Sequence, residues 1–145
     1  MTIQHADCYA KIAFNGIGTD HNPTASPERI IDFDSEASSG GVSASHINNE
    51  LTVNVAGTYR LFLQLSAQVA DDETYTIYAA INDAEAGSIG IDIERKVGSL
   101  NFITAGFTPS LLVGDTISLY VSSGNAGGAS FIPTFLEIDI TKVGL

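Results

Sequence analysis

One cysteine, Cys8, stands alone in this sequence. A single thiol cannot close an intrachain disulfide. That excludes a disulfide-built secreted scaffold and points to folding in a reducing compartment. A lone thiol of this kind reads as buried and inert rather than reactive. Basic residues are scarce too, with 6 Lys and Arg against 17 Asp and Glu and a formal net charge of −11. So few scattered cations cannot assemble the positive surface that nucleic acid or anionic lipid demands, and neither is expected as a partner. No apolar run approaches the ~18 residues of a membrane helix. The opening Met1-Thr2-Ile3-Gln4-His5-Ala6-Asp7 lacks the basic start and apolar stretch of a signal peptide. Asn22-Pro23-Thr24 is blocked as a glycosylation acceptor by its proline. Charged residues make up only 16% of the chain against 44% hydrophobic ones, so the composition is globular. It also leaves more apolar surface than the charges can cover, for which a subunit interface is one outlet.

What is present is alternation. Helical periodicity is absent almost everywhere, while short apolar/polar runs recur between clusters of Gly, Asn, Asp, Ser and Pro. Strands are expected over Tyr9 to Phe14, Arg29 to Asp34 with Ile31 and Phe33 on one face, Glu50 to Val55 with Leu51, Val53 and Val55 inward, and Tyr59 to Ala67 after a turn at Gly57. Further strands are expected over Tyr75 to Ile81, around Ile89, Ile91 and Ile93, over Leu100 to Phe107, over Thr116 to Ser122, and over Phe135 to Thr141. Asn15 to Pro27 and Ser35 to Ser45 read as loops, as does Ser123 to Gly128. At 145 residues this is one domain, an all-β sandwich or barrel, over 9–145 and preceded by an N-terminal arm, 1–8.

Three blocks resemble the C1q/tumour-necrosis-factor-like jelly-roll family. Gly57-Thr58-Tyr59-Arg60-Leu61-Phe62 resembles its Gly-x-Tyr strand motif. Leu111 to Val121, with a turn at Gly114-Asp115, resembles its sixth strand, and Ser130-Phe131 with the run to Ile140 resembles its closing strand. The resemblance implies ten strands in two sheets and a compact homotrimer. The chain shows no collagen-like stalk, transmembrane anchor or disulfide. In that respect it resembles stalkless phage virion proteins, namely capsid decoration proteins, head fibres and fibre tips.

The faces of the strands add an argument for assembly. A strand with one wet face should alternate apolar with polar residues. Tyr59, Leu61, Leu63 and Leu65 form one inward set, as do Ile117, Leu119 and Val121, and Leu136, Ile138 and Ile140. Yet aromatic residues interrupt the polar sets: Phe62 beside Arg60 and Gln64, Tyr120 beside Thr116 and Ser118, Phe135 beside Glu137 and Asp139, and Tyr9 beside Lys11. In a jelly roll these four strands are expected to share a sheet. Its outer face would then carry Tyr9, Phe62, Tyr120 and Phe135, the composition of an interface core against a threefold axis.

Chemistry is thin. Asp71-Asp72-Glu73 offers carboxylates but not the alternating ligand positions of a calcium loop, and reads as a solvated turn. His5, His21 and His46 have no paired spacing or cysteine partners, so no zinc site is expected and each reads as an ordinary surface histidine. Asp20-His21-Asn22 has no nucleophile beside it and no Gly-x-Ser-x-Gly elbow exists, so no catalytic residue is assigned. Gly124, Gly127 and Gly128 do not form a phosphate fingerprint. Taken with that absence of site chemistry, the resemblance to stalkless virion proteins implies a non-enzymatic structural protein of the virion, assembled in the host cytoplasm. It would need no cofactor or metal and would partner itself and a major capsid or other virion protein through its arm or loops. A receptor- or glycan-binding fibre tip, using Ser35 to Ser45 and Gly124 to Gly128, is a second reading, and a bacterial C1q-like extracellular module is a third.

Overall fold

The computed structural model describes residues 8–69, 73–95 and 98–143, and for 84–107 the backbone alone. Among these residues there are twelve strands: β1 Tyr9–Asn15, β2 Glu28–Arg29, β3 Ser35–Ser39, β4 Val42–Ser45, β5 Glu50–Val53, β6 Gly57–Val69, β7 Glu73–Ile81, β8 Ala84–Arg95, β9 Gly98–Phe107, β10 Ser110–Leu111, β11 Thr116–Ser123 and β12 Phe131–Lys142. β2 and β10 are two-residue pieces, and the other ten carry the architecture. One sheet runs β3-β1-β12-β6, with β9 and β10 paired to the far edge of β6. The second runs β4-β5-β11-β7-β8, with β2 beside β5 on β11. Every pairing is antiparallel.

The two sheets meet through the inward sets that alternation identifies. Tyr59, Leu61, Leu63 and Leu65 from β6, Ala10 and Ile12 from β1, and Leu136, Ile138 and Ile140 from β12 are buried on one side of the core. Leu51, Val53, Tyr75, Ile77, Ile117, Leu119 and Val121 close on them from the other sheet. Buried tyrosines keep a partner for the hydroxyl. Tyr59 donates to the Val55 carbonyl at 2.6 Å and Tyr75 to the Ser130 carbonyl at 2.7 Å. Burial pushes the Tyr59 phenol up to about 12, with the neighbouring Cys8 adding to the effect. Cys8 is buried as expected, but as part of the sandwich rather than of an arm: its carbonyl accepts the Lys142 N–H at 2.8 Å. Residues 1–7 lie outside the described residues.

Turn chemistry sets the hairpins. Asn82 and Asp83 take φ of 57° and 59°, which makes a two-residue link whose twist matches the β7–β8 pair. The reading of Ser35 to Ser45 as a loop is corrected, because it holds β3 and β4 joined at Gly40-Gly41. β3 is exposed at every residue and pairs through its backbone with β1 at the sheet edge, so no apolar alternation marks it. Gly41 is required by close approach, since a Cβ there would lie 2.6 Å from both Cys8 Sγ and Val55 Cγ2. Two face assignments are also corrected. After Arg29 the chain leaves the strand conformation, so Ile30 and Phe33 are buried while Ile31 is exposed. Val55 lies beyond the end of β5 and is exposed.

Candidate functional site

The outer face of the β3-β1-β12-β6 sheet is built in register rows. Moving toward the end where β1 begins, Asn15, Phe135 and Ser66 share a row, then Ala13, Glu137 and Gln64, then Lys11, Asp139 and Phe62, then Tyr9, Thr141 and Arg60. β9 places Asn101, Ile103 and Ala105 opposite Ser66, Gln64 and Phe62. Tyr9, Lys11, Phe62, Gln64, Phe135, Glu137 and Asp139 are all only half exposed. Three of the four aromatics expected at an interface, Tyr9, Phe62 and Phe135, therefore do share one sheet face. They are not contiguous. Phe135 and Phe62 stand two rows apart, about 14 Å at ~3.4 Å per residue, with Glu137 and Gln64 in the row between and Asp139 directly opposite Phe62.

In the sequence those carboxyls read as the solvated polar set of their strand, and only the pairing of β12 shows what surrounds them. Lys11 Nζ lies 3.8 Å from Glu137 Oε1. Asp139 Oδ1 is shielded from solvent and has no hydrogen-bond partner. Burial first, then the neighbouring Glu137, raises the Asp139 carboxyl to about 6 despite the opposing pull of Lys11. The same surroundings, burial and the Asp139 charge foremost, raise the Tyr9 phenol.

Tyr120 is a correction. It sits on β11, and β11 pairs with β5, β2 and β7 in the other sheet, so Tyr120 cannot share the face of Phe62. Alternation along a strand shows which residues share a side but not which sheet the strand joins. Tyr120 stacks on Tyr78, its cross-strand neighbour, with ring centroids 5.5 Å apart and planes 5° from parallel. Its hydroxyl donates to Asp83 Oδ1 at 2.8 Å, and Ser118 Oγ donates to the same oxygen at 3.0 Å. Those bonds hold the Asp83 carboxyl below its ordinary range. Arg29 reaches Asp83 at 3.9 Å and Glu50 at 3.7 Å. The cluster clamps the Asn82-Asp83 turn onto its own sheet with partners from one chain, although Arg29 Nε is buried without a hydrogen-bond partner. Tyr120→Phe is therefore expected to cost about 1.5 kcal/mol in urea denaturation, the low end for a hydrogen bond to a charged acceptor because this one is exposed, with the sedimenting mass unchanged.

His21 is the second correction. It is buried rather than on the surface, its side chain 1% exposed, although it lies in a loop. Its Nε2 is 2.5 Å from Asp32 Oδ2 and its Nδ1 3.4 Å from Glu28 Oε1, while its backbone N–H bonds the Phe131 carbonyl at 3.0 Å. Both ring nitrogens face carboxylates, so neither is left to activate a nucleophile. Beside it, Asp20 accepts from Ser130 Oγ at 3.0 Å and from the Phe131 N–H at 3.1 Å. The group thus ties the 16–34 segment to the start of β12. His46 is on the surface as expected, its Nδ1 2.5 Å from Glu36 Oε1. His5, Asp71 and Asp72 lie outside the described residues, and Glu73 opens β7. Among the described residues no three His, Cys, Asp or Glu side chains converge as metal ligands.

No protein-family model matches the chain, and no curated protein sequence matches it. Solved structures do. The globular domain of zebrafish complement 1qA superposes with a TM-score of 0.59 at 13% identity, covering 95% of this chain and 98% of that one. Eiger TNF from S. frugiperda gives 0.58 at 12%, covering 94% of each chain. Murine APRIL gives 0.60 at 12%, covering 93% of this chain and 99% of its own. At such identities the likeness establishes the fold: this chain has the C1q/TNF jelly roll, along essentially its whole length.

Proposed function

We propose that the protein is a non-enzymatic homotrimer that packs the outer face of its β3-β1-β12-β6 sheet around a threefold axis. The observation that carries this reading is the face itself. A sheet already buried on its inner side presents Tyr9, Phe62 and Phe135, none fully exposed, on its other side. Apolar surface of this kind is stabilised by burial against sister copies. Sedimentation equilibrium tests it, with an expected mass of three times the 15.2 kDa of one chain. A single-chain mass at micromolar concentration would sink it.

The role we propose for this trimer is structural: decoration or reinforcement of a phage capsid, or the head of a short fibre, in contact with a major capsid or other virion protein. Three features support it. The charge of −11 disfavours direct contact with nucleic acid. The polar clusters around His21 and Asp83 are spent on bracing the fold. Val55, Leu112, Val113 and Val143 are exposed at the end of the sandwich where β1 begins and β12 ends, giving that end apolar contacts repeated three times in a trimer. Quantitative mass spectrometry of purified particles is the test. Many copies per particle are expected, and absence from particles would remove the role while leaving the trimer intact.

A further inference from the structure

We propose that Asp139, crowded by Glu137, makes assembly of this face proton-coupled, so that the three-copy form tightens in mild acid and loosens as the Asp139 carboxyl ionises. The inference rests on the threefold reading above. β12 is the middle strand of the series β3-β1-β12-β6-β9, so when this face packs about an axis, β12 lies nearest to it. Residues close to a threefold axis meet their own copies. Two carboxyls from each of three chains then converge, Asp139 at the level of Phe62 and Glu137 one row away beside Gln64.

The compensating charge is small. From β1, Lys11 and Tyr9 face the pair, and Lys11 is already engaged with Glu137 at 3.8 Å. From β6 the neighbours are Phe62, Gln64 and Arg60, and Arg60 is exposed one row away, opposite Thr141. β9 contains no titratable residue. One ammonium therefore stands against two carboxyls per chain, and Asp139 Oδ1 has no donor of its own. The isolated chain already holds the Asp139 carboxyl at about 6. Assembly removes more water and adds like charge, and both favour the protonated form.

The sign follows from linkage. A group that binds its proton more tightly in the assembled than in the free state takes up protons on association, so association strengthens as pH falls. With one proton per chain, the trimer association constant is expected to change by up to about a thousandfold per pH unit above about pH 6.

Sedimentation velocity of the full chain at constant salt, from about pH 5 to about pH 8, tests this for wild type, Asp139→Asn and Glu137→Gln. The expected result is a wild-type shift from three-copy to single-chain species as pH rises. Asp139→Asn should stay trimeric at the alkaline end, with Glu137→Gln moving in the same direction. A wild-type trimer indifferent to pH, or an Asp139→Asn trimer with the full wild-type pH dependence, overturns the coupling and leaves the trimer standing. Single chains at every pH in both wild type and Asp139→Asn overturn the coupling and the assembly reading together.

Discussion

Replacing Phe62 with Asp is expected to leave a folded single chain in place of the proposed wild-type trimer. Phe62 lies on the outer side of β6, half exposed, while the core contacts of that strand come from Tyr59, Leu61, Leu63 and Leu65 on the other side. The substitution therefore spares the sandwich interior. It does not spare the face. Cross-strand neighbours hold their Cβ atoms ~5 Å apart, and Phe62 is directly opposite Asp139. The new carboxylate would stand beside one that already lacks a partner for Oδ1. A buried aromatic anchor is worth at least ~2 kcal/mol at an interface. Three copies lose it at once, so the trimer association constant should fall by about four orders of magnitude or more. Mass by sedimentation, with far-ultraviolet circular dichroism to confirm the strands, checks the outcome. Phe62→Leu keeps an apolar group without adding charge and is expected to retain the trimer. An unaltered three-copy mass for Phe62→Asp would move the interface elsewhere.

How far the sequence alone reaches depends on where a residue's environment is decided. Leu61, Leu63 and Leu65 are legible because a period of two is a local property and the strand is long enough to repeat it. The same holds for Ile117, Leu119 and Val121, and for Leu136, Ile138 and Ile140. β3 is illegible for the converse reason: Ser35-Glu36-Ala37-Ser38-Ser39 has nothing to bury, and its place at the sheet edge comes from backbone bonds to β1 that no side chain announces. The candidate site divides in the same way. Tyr9, Phe62 and Phe135 interrupt polar sets within their own strands, and that signal is local. Tyr120 gives an identical signal, yet its sheet is fixed by the pairing of β11 with β7, a long-range fact. The Asp139 carboxyl belongs to this class as well, since its surroundings are Lys11 and Phe62, brought from opposite sides by two different strands.

His21→Ala is expected to be the costliest of the single substitutions for stability, at about 3–5 kcal/mol, the range for stranding a buried carboxylate by removing its partner. The cost arises mainly from what is left behind. The Asp32 side chain is only 6% exposed, and without the imidazole its carboxylate would keep a single N–H donor, that of Thr19 at 3.0 Å. The segment it anchors carries Ile30 and Phe33 into the core, so loosening it also uncovers apolar surface. With total stability for a domain of this size in the range of ~5–15 kcal/mol, the urea midpoint should fall by about 2 M at an m-value of about 2 kcal/mol/M. The double variant His21→Ala, Asp32→Asn separates mechanism from mere cavity formation. If the penalty lies in the stranded carboxylate, neutralising Asp32 should return a large part of it, a coupling of about 1–3 kcal/mol in the mutant cycle. If the histidine only fills space, the two substitutions should add, and the stranded-carboxylate account of this loop would be wrong.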